Sequence, residues 1–247
     1  TCALPISQIL KGFSLRPGTY FFRNLKNLLN NENIPVIRAL VNSVTVSFFN
    51  AALATYFSAM TAYGIHMYRF KGRSAAFKFI MAVMMVPTQV TTLGFLQLME
   101  RMHLSDTLFP LIIPAIASPV VFFYILQYMS ASLSHSIVEA SRVDGCNEFL
   151  TFNIIVLPMI KPALAVQGIF AFVNSWNNYF LPALILTSKE NKTIPILIAQ
   201  LRNADYMKFD MAQVYMLICI AIVPLLIAYL AMSRHIIGGV TLGAVKE

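Results

Sequence analysis

Two short stretches hold most of the residues with which this chain could do chemistry. Trp176, Asn177, Asn178 and Tyr179 set two carboxamides between two aromatic rings. Amides bond hydroxyls and rings stack on the apolar face of a pyranose, so the group suits sugar recognition. Gln167 and Asn174 fall on the helical face that leads to Asn178. The same residues also suit a helix–helix hydrogen bond, or a tryptophan lying at headgroup depth. The second stretch, EASRVDG at residues 139–145, is small, partly charged and ends in glycine, between segments that look made for lipid. Neither stretch is catalytic in type. The sequence has no paired-carboxylate motif, no HExxH and no GxSxG. It also has no GxxxxGK[ST], so it cannot bind ATP by that route. Cys2, Cys146 and Cys219 lack metal or redox spacing. No catalytic residue and no metal ligand is assigned, and any pumping must draw on a partner's energy.

The elements that position these residues follow from hydropathy. Of 247 residues, 58% are hydrophobic and 11% charged, and the mean hydropathy is +0.70. A soluble domain carries about 25% charged residues; this chain cannot coat a water-exposed surface of its size. A net charge of +8 raises the possibility of nucleic acid, but the basic residues are scattered as they are in loops flanking membrane spans. Five segments are apolar over the ~20 residues that a bilayer demands: 39–63, 75–98, 108–129, 163–186 and 211–232. Pro87 interrupts the second, and Pro110, Pro114 and Pro119 punctuate the third. The runs are too long and too evenly apolar for barrel strands. The fold class is therefore all-α and polytopic. The basic loop YRFKGR, residues 68–73, favours the cytoplasm for itself, for EASRVDG and for the C-terminus, although the two sets of alternate loops hold eight and ten of the 18 basic residues.

Polar residues inside spans usually face a neighbouring helix or a cavity. Ser43, Ser47, Asn50, Ala54, Ser58 and Thr61 recur at three- and four-residue steps and form one stripe. Such stripes pack helices or line pathways, and both readings stand at this point. Thr88, Thr91 and Thr92 share a face just beyond Pro87. With Asn50, Gln167, Asn174 and the 176–179 group, they make up the candidate lining of a pathway.

The loop 130–162 is predicted as two short helices. Ser136 and Glu139 have capping-box spacing. Ile137, Ala140, Ser141 and Asp144 then share a face, and Gly145 tolerates a left-handed stop. Asn147 is placed to cap a second, greasier helix that Pro158 ends. A flexible tether needs no caps. A stiff, small-surfaced knob suits docking into a groove on another protein.

EASRVDGCNEFLTFNIIVLP resembles the EAA motif of binding-protein-dependent ABC importer permeases, E-A-A-x-x-x-G with I-x-L-P downstream. Ser141 replaces the second alanine, and Cys146 follows the glycine. NSVTVSFFNAALATYFSAMTAYG, RFKGR, MMVPTQV, SWNNYFLPALIL and GVTLGAVKE are similar to the carbohydrate branch, in particular to the second maltose permease. The resemblance covers residues 39–247 and implies a type I ABC importer transmembrane domain. By it, Ser136, Glu139, Ala140, Ser141, Arg142, Asp144 and Gly145 form a coupling helix docked on a cytoplasmic ABC ATPase dimer. ATP and magnesium sit on that partner and no cofactor on this chain. A second homologous permease completes the pathway, and an extracytoplasmic sugar-binding protein delivers to the loop 188–210. The tail near Gly243 to Lys246 is a further ATPase contact. The implied location is the plasma membrane of a prokaryote, with the lipid bilayer as a partner and no nucleic acid. In the maltose relative the partner permease supplies the main sugar site, which bears against substrate contact by residues 176–179.

The opening TCALPIS matches the translated end of a common sequencing-library adapter. Thr1–Ile6 are therefore set apart from fold reasoning, residues 1–38 are assigned to that start plus an extracytoplasmic segment, and a sixth span is expected before the first. The nearest rival is a type I permease for a polyamine, phosphate or glycerol phosphate. No lysine or arginine lies in the middle of a span, which favours a neutral solute. An ion-coupled carrier requires intramembrane carboxylates, and the spans hold none.

Overall fold

The structure, a computed structural model, describes residues 2–4, 18–31, 34–202 and 211–243, with side chains as far as Ser233. It is helical throughout, with no strand among the described residues. A short amphipathic helix, α1 (Phe21–Leu29), packs on the final helix. Next comes α2 (Val36–Met67), 32 residues long and so about 48 Å at 1.5 Å per residue. Only Arg38 among its residues carries a full charge and no proline follows Pro35, so nothing in the sequence stops it before Tyr68.

The next two elements, α3 (Arg73–Met84) and α4 (Thr88–Arg101), make up the second predicted span, which breaks at the expected interruption, Pro87. They meet at 96°. Pro87 has no N–H to give the Val83 carbonyl, and its ring would collide with it. The third span starts as α5 (Phe109–Ile112), tightens into a 3-10 turn (Ile113–Ile116), and resumes as α6 (Pro119–Ser132) after an extended Ser118. The loop helices are α7 (His135–Val143) and α8 (Glu148–Met159), the latter containing a π-helical turn at Thr151–Val156. Across an 81° elbow at Ile160 runs α9 (Lys161–Asn177). Then follow α10 (Phe180–Ile185), α11 (Ile194–Arg202) and α12 (Met211–Gly243).

Three stretches, Val36–Met67, Phe109–Ser132 and Met211–Ser233, are long and apolar enough to cross a bilayer; the two bent pairs raise the number to five if each counts as one span. The predicted fourth span, 163–186, does not run through as one helix. It ends at Asn177, and Asn178 is extended at φ −70° and ψ 118°. Pro182 accounts for this: it lacks the N–H that the Asn178 carbonyl needs four residues back.

α2 is the spine. It packs against α6, α9 and the 3-10 turn, and α9 packs in turn on α12. One buried cluster joins α2, α6 and α8 through Ala59, Ala62, Ile125, Met129, Val156 and Ile160. Much of the polar stripe on α2, with Asn42 beside it, faces inward and satisfies the backbone where its neighbours break; Thr61 is exposed and returns its hydroxyl to Phe57 O, and the buried Ser47 hydroxyl has no hydrogen-bond partner among the described residues. Asn42 Nδ2 donates to the carbonyls of Glu190 (2.7 Å) and Lys192 (3.0 Å). Ser43 Oγ accepts from the Ile194 N–H at 2.8 Å. Asn50 Nδ2 donates to Leu111 O (3.2 Å) and Ser58 Oγ to Ser118 O (3.2 Å). A broken helix in an apolar setting needs such partners, which is the packing reading of the stripe.

Candidate functional site

The knob is built at the end of the bundle where α2 finishes. α7 starts at His135 behind an extended Ser134. The capping box expected from Ser136 and Glu139 does not form: the helix begins two residues earlier than that reading requires, and Ser136 Oγ instead lies 2.6 Å from Ser134 Oγ. Val138 and Ser141 turn inward, at 1% and 3% exposure. Ser141 was expected on the outward face. Its hydroxyl is bonded to Val138 O (2.8 Å) and to Thr151 Oγ1 (3.1 Å), so it pins α7 to α8. A small residue is required there because the two helices meet at that point. Glu139, Ala140, Val143, Asp144 and Gly145 are exposed.

Gly145 sits at φ +81°, the left-handed conformation expected of it. The turn closes with Gly145 N–H donating to Arg142 O (3.1 Å) and Cys146 N–H to Ser141 O (3.0 Å). Asn147 caps α8 as predicted, Oδ1 accepting from the Leu150 N–H at 2.8 Å. Pro158 does not end α8, which continues to Met159. The wide π turn ahead of it is a common way to absorb a misfit in the ladder.

A second feature lay outside the sequence reading. Arg142 Nε donates to Glu148 Oε1 at 2.6 Å across the Gly145 turn. The other Glu148 oxygen accepts from Tyr63 Oη at 3.0 Å. The Arg142 guanidinium lies over the Tyr68 ring, 5.5 Å from its centroid. Hydrogen bonding to Glu148 raises the Arg142 pKa further, against the small cost of burial. Tyr63 and Tyr68 stand at the end of α2, so this cluster fastens knob to spine. His66 and His135 add a ring contact at 5.1 Å, and His66 Nε2 donates to Leu133 O at 3.1 Å. The spacing of an arginine and a glutamate six residues apart across a glycine turn was the available signal.

The candidate lining residues scatter. Asn50 is spent on Leu111 O. Thr91 and Thr92 both return their hydroxyls to the Thr88 carbonyl, at 3.0 and 2.8 Å. Gln167 is buried and Asn174 exposed, so the face they were expected to share is divided. Trp176 is buried and stacked on Phe172, with ring centroids 5.9 Å apart. Asn177, Asn178 and Tyr179 are exposed around the helix break, which lies against α4 and α5 through α10. A break with two free carboxamides and a phenol can bond hydroxyl groups; the indole serves as its packed support.

At the opposite end, the loop 186–193 is clamped. Asp106 Oδ1 accepts from the Thr187 and Ser188 N–H groups (2.8 and 3.0 Å), and Asn191 Nδ2 donates to the Asp106 carbonyl. Burial raises the Asp106 pKa, but these donors outweigh it and hold the carboxyl below its ordinary value. Residues 203–210 of the expected outer loop, and the tail side chains near Gly243–Lys246, fall outside the described residues.

This bundle, with its knob at one end and its clamped loop at the other, matches a known class. Residues 54–236 match the family described as binding-protein-dependent transport system inner membrane component, and the chain belongs to that family. It is thus a membrane permease component of a transporter, and not an enzyme. Among its relatives, the arabinooligosaccharides transport system permease protein AraQ of Bacillus subtilis is 34% identical, over 98% of this chain and 86% of the relative. The lactose transport system permease protein LacG of Rhizobium radiobacter is 29% identical, over 97% and 85%. A solved bacterial ABC transporter involved in alginate import has the same fold, with a TM-score of 0.81 at 21% identity over 94% of this chain and 86% of the other.

Proposed function

We propose that this chain is a permease subunit of an ATP-driven sugar importer in a prokaryotic plasma membrane. It forms half of the translocation pathway beside a second, homologous permease. A cytoplasmic ABC ATPase dimer, which holds ATP and magnesium, takes the α7 knob into a cleft. An extracytoplasmic sugar-binding protein delivers to the clamped loop at the other end. The similarity to permeases named for arabinooligosaccharide and lactose transport supports a carbohydrate solute. So does the exposed amide and phenol group at the α9 break, within a bundle lacking mid-span ionic residues.

The observation that carries the reading is the construction of the knob. Glu139, Ala140, Val143, Asp144 and Gly145 are left bare, with Val143 87% exposed, while Ser141, Arg142 and Glu148 anchor the same turn to the spine. An outward surface of small and apolar residues (Ala140, Val143, Gly145) flanked by two carboxylates (Glu139, Asp144), on a braced support, suits a tight protein groove. When ATP closes the ATPase dimer, the knob is pushed. The Glu148–Tyr63 bond and the Ser141–Thr151 contact pass that motion to α2 and α8. Rocking of the two permease halves then alternates access.

Cysteine at Ala140, paired with cysteines along the ATPase cleft in the assembled transporter, tests this. The expected result is a cross-linked permease–ATPase product whose formation halts uptake. Absence of any such product in complexes that still transport would refute the coupling assignment.

A further inference from the structure

An apolar groove of about 530 Å³ runs along the outside of the bundle between α2, α9 and α12. Phe48, Ala52, Thr55, Ala165, Gly168 and Ala228 are among the residues that line it. Its depth comes from alanine and glycine on three adjoining helices, where larger side chains would have closed the gap. Lys161 forms one end, at the elbow where α8 meets α9. Lys161 is exposed, and no carboxylate pairs with it among the described residues. From Lys161 to Phe172 is eleven helical steps, about 17 Å. Half of a bilayer's hydrocarbon core is about 15 Å. The groove thus matches in length the acyl depth of one leaflet, from headgroup level to the bilayer midplane. It opens beside Leu226, Ile227 and Leu230, which are 54–68% exposed on an apolar helix, so it is continuous with surface that faces acyl chains.

We propose that an anionic phospholipid of the knob-side leaflet seats one acyl chain in this groove, with its phosphate at Lys161. That this leaflet is the inner one rests on the coupling reading above. A neutral end would select no headgroup, and a groove shorter than a leaflet would hold only part of a chain. The lysine supplies the selection and the small residues supply the slot. A lipid held there braces α9 against α2 and α12, the helices on which the elbow turns.

The test uses the assembled transporter in phosphatidylcholine vesicles doped with a phosphatidylglycerol carrying a photoreactive group in mid-chain, and a matched phosphatidylcholine probe. Labelling of the 164–172 and 228–232 peptides is expected to favour the anionic probe by about fivefold, the attraction of one lysine to an anionic headgroup. Lys161→Gln should erase the preference and keep the labelling. Gly168→Leu should abolish labelling of both peptides. The methionine Cε of Met232 is 3.0 Å from where a Gly168 Cβ would stand, and it is the flexible end of its side chain. Ala52→Leu fills the slot from α2 and guards against misfolding at Gly168. Equal labelling by both probes overturns the proposal. So does labelling unchanged by either slot-filling variant, or a disulfide from Ala165→Cys to a partner helix in place of lipid labelling. A failed Ala140 cross-link with a selectively labelled groove removes the coupling reading and leaves the lipid site standing.

Discussion

The two ends of α2 are held by different kinds of bond. At the end away from the knob, Asn42 and Ser43 bind backbone groups of residues 190–194, and Asp106 binds backbone amides of 187 and 188. At the knob end, His66 also reaches a backbone carbonyl, that of Leu133, but the bonds that brace the Gly145 turn run from side chain to side chain: Arg142 to Glu148, Glu148 to Tyr63, Ser141 to Thr151. Bonds to backbone fix the path of the chain whatever the loop's own side chains are. Bonds between side chains fix the orientation of one element against another while its outward face stays bare. The end away from the knob is thus built as a floor, and the knob end as a brace, which under the proposed function would serve as a lever.

The largest expected effect separates the lever from its brace. Gly145→Val should cut uptake at least tenfold while the subunit still assembles in the membrane. A left-handed L-residue costs about 1–2 kcal/mol, and no atom of this chain lies within 4 Å of the added Cβ, so the remaining loss reports on a partner's groove. Gly145→Asn, which tolerates that backbone conformation, should keep more transport than Gly145→Val. Equal loss in both would assign the effect to bulk at the cleft, and wild-type uptake in Gly145→Val would break the lever reading.

Next in size is the floor. Asn42 is 8% exposed and serves two carbonyls. Asn42→Leu should destabilise the complex by about 1–3 kcal/mol, the cost of orphaning buried acceptors. Thermal unfolding of the purified complex should show it, together with faster proteolysis at 186–194. Unchanged proteolysis would mean that Asp106 and Ser43 suffice to hold the loop.

The smallest effect belongs to the ion pair. Its side chains are 39% and 45% exposed, and such pairs are worth about 0.2–1 kcal/mol. Glu148→Gln keeps an acceptor for Tyr63, so stability should hardly move. The ATP spent per solute moved should rise, by less than about fivefold. A tight, unchanged coupling ratio would reduce the pair to a surface decoration and leave Ser141 as the brace.

Much of this was legible in the sequence. Unbroken apolar runs gave α2 and α12 to within a few residues at their starts, because no competing signal interrupts them. The Gly145 stop and the Asn147 cap depend on local backbone chemistry and read directly. The bend at Pro87 was flagged, but its 96° angle comes from how α3 packs on α6, which pattern does not encode. The break at Asn178 was missed although Pro182 announces it: the disturbed carbonyl lies four residues before the proline, inside a polar cluster that drew a chemical explanation. Ser141 was placed outward because helical periodicity locates a face and does not say which neighbour covers it. The role of Glu148 depends on Tyr63, 85 positions away in the chain, and no local window contains both.

The π turn at Thr151–Val156 has one more residue per cycle than its α-helical neighbours would hold. Its six residues turn through about the angle that five residues of α-helix cover, about 500° at 100° each. The surplus residue is thus absorbed inside the turn, and Gly145 and Val143 keep the bearing from the elbow at Ile160 that a plain α-helix one residue shorter would give them. A one-codon deletion among these six should leave the knob pointing nearly as before, whereas the same deletion in the plain α-helix of α7 would swing everything beyond it by about 100°. The wide turn is a place where the chain tolerates a change of length without losing its aim.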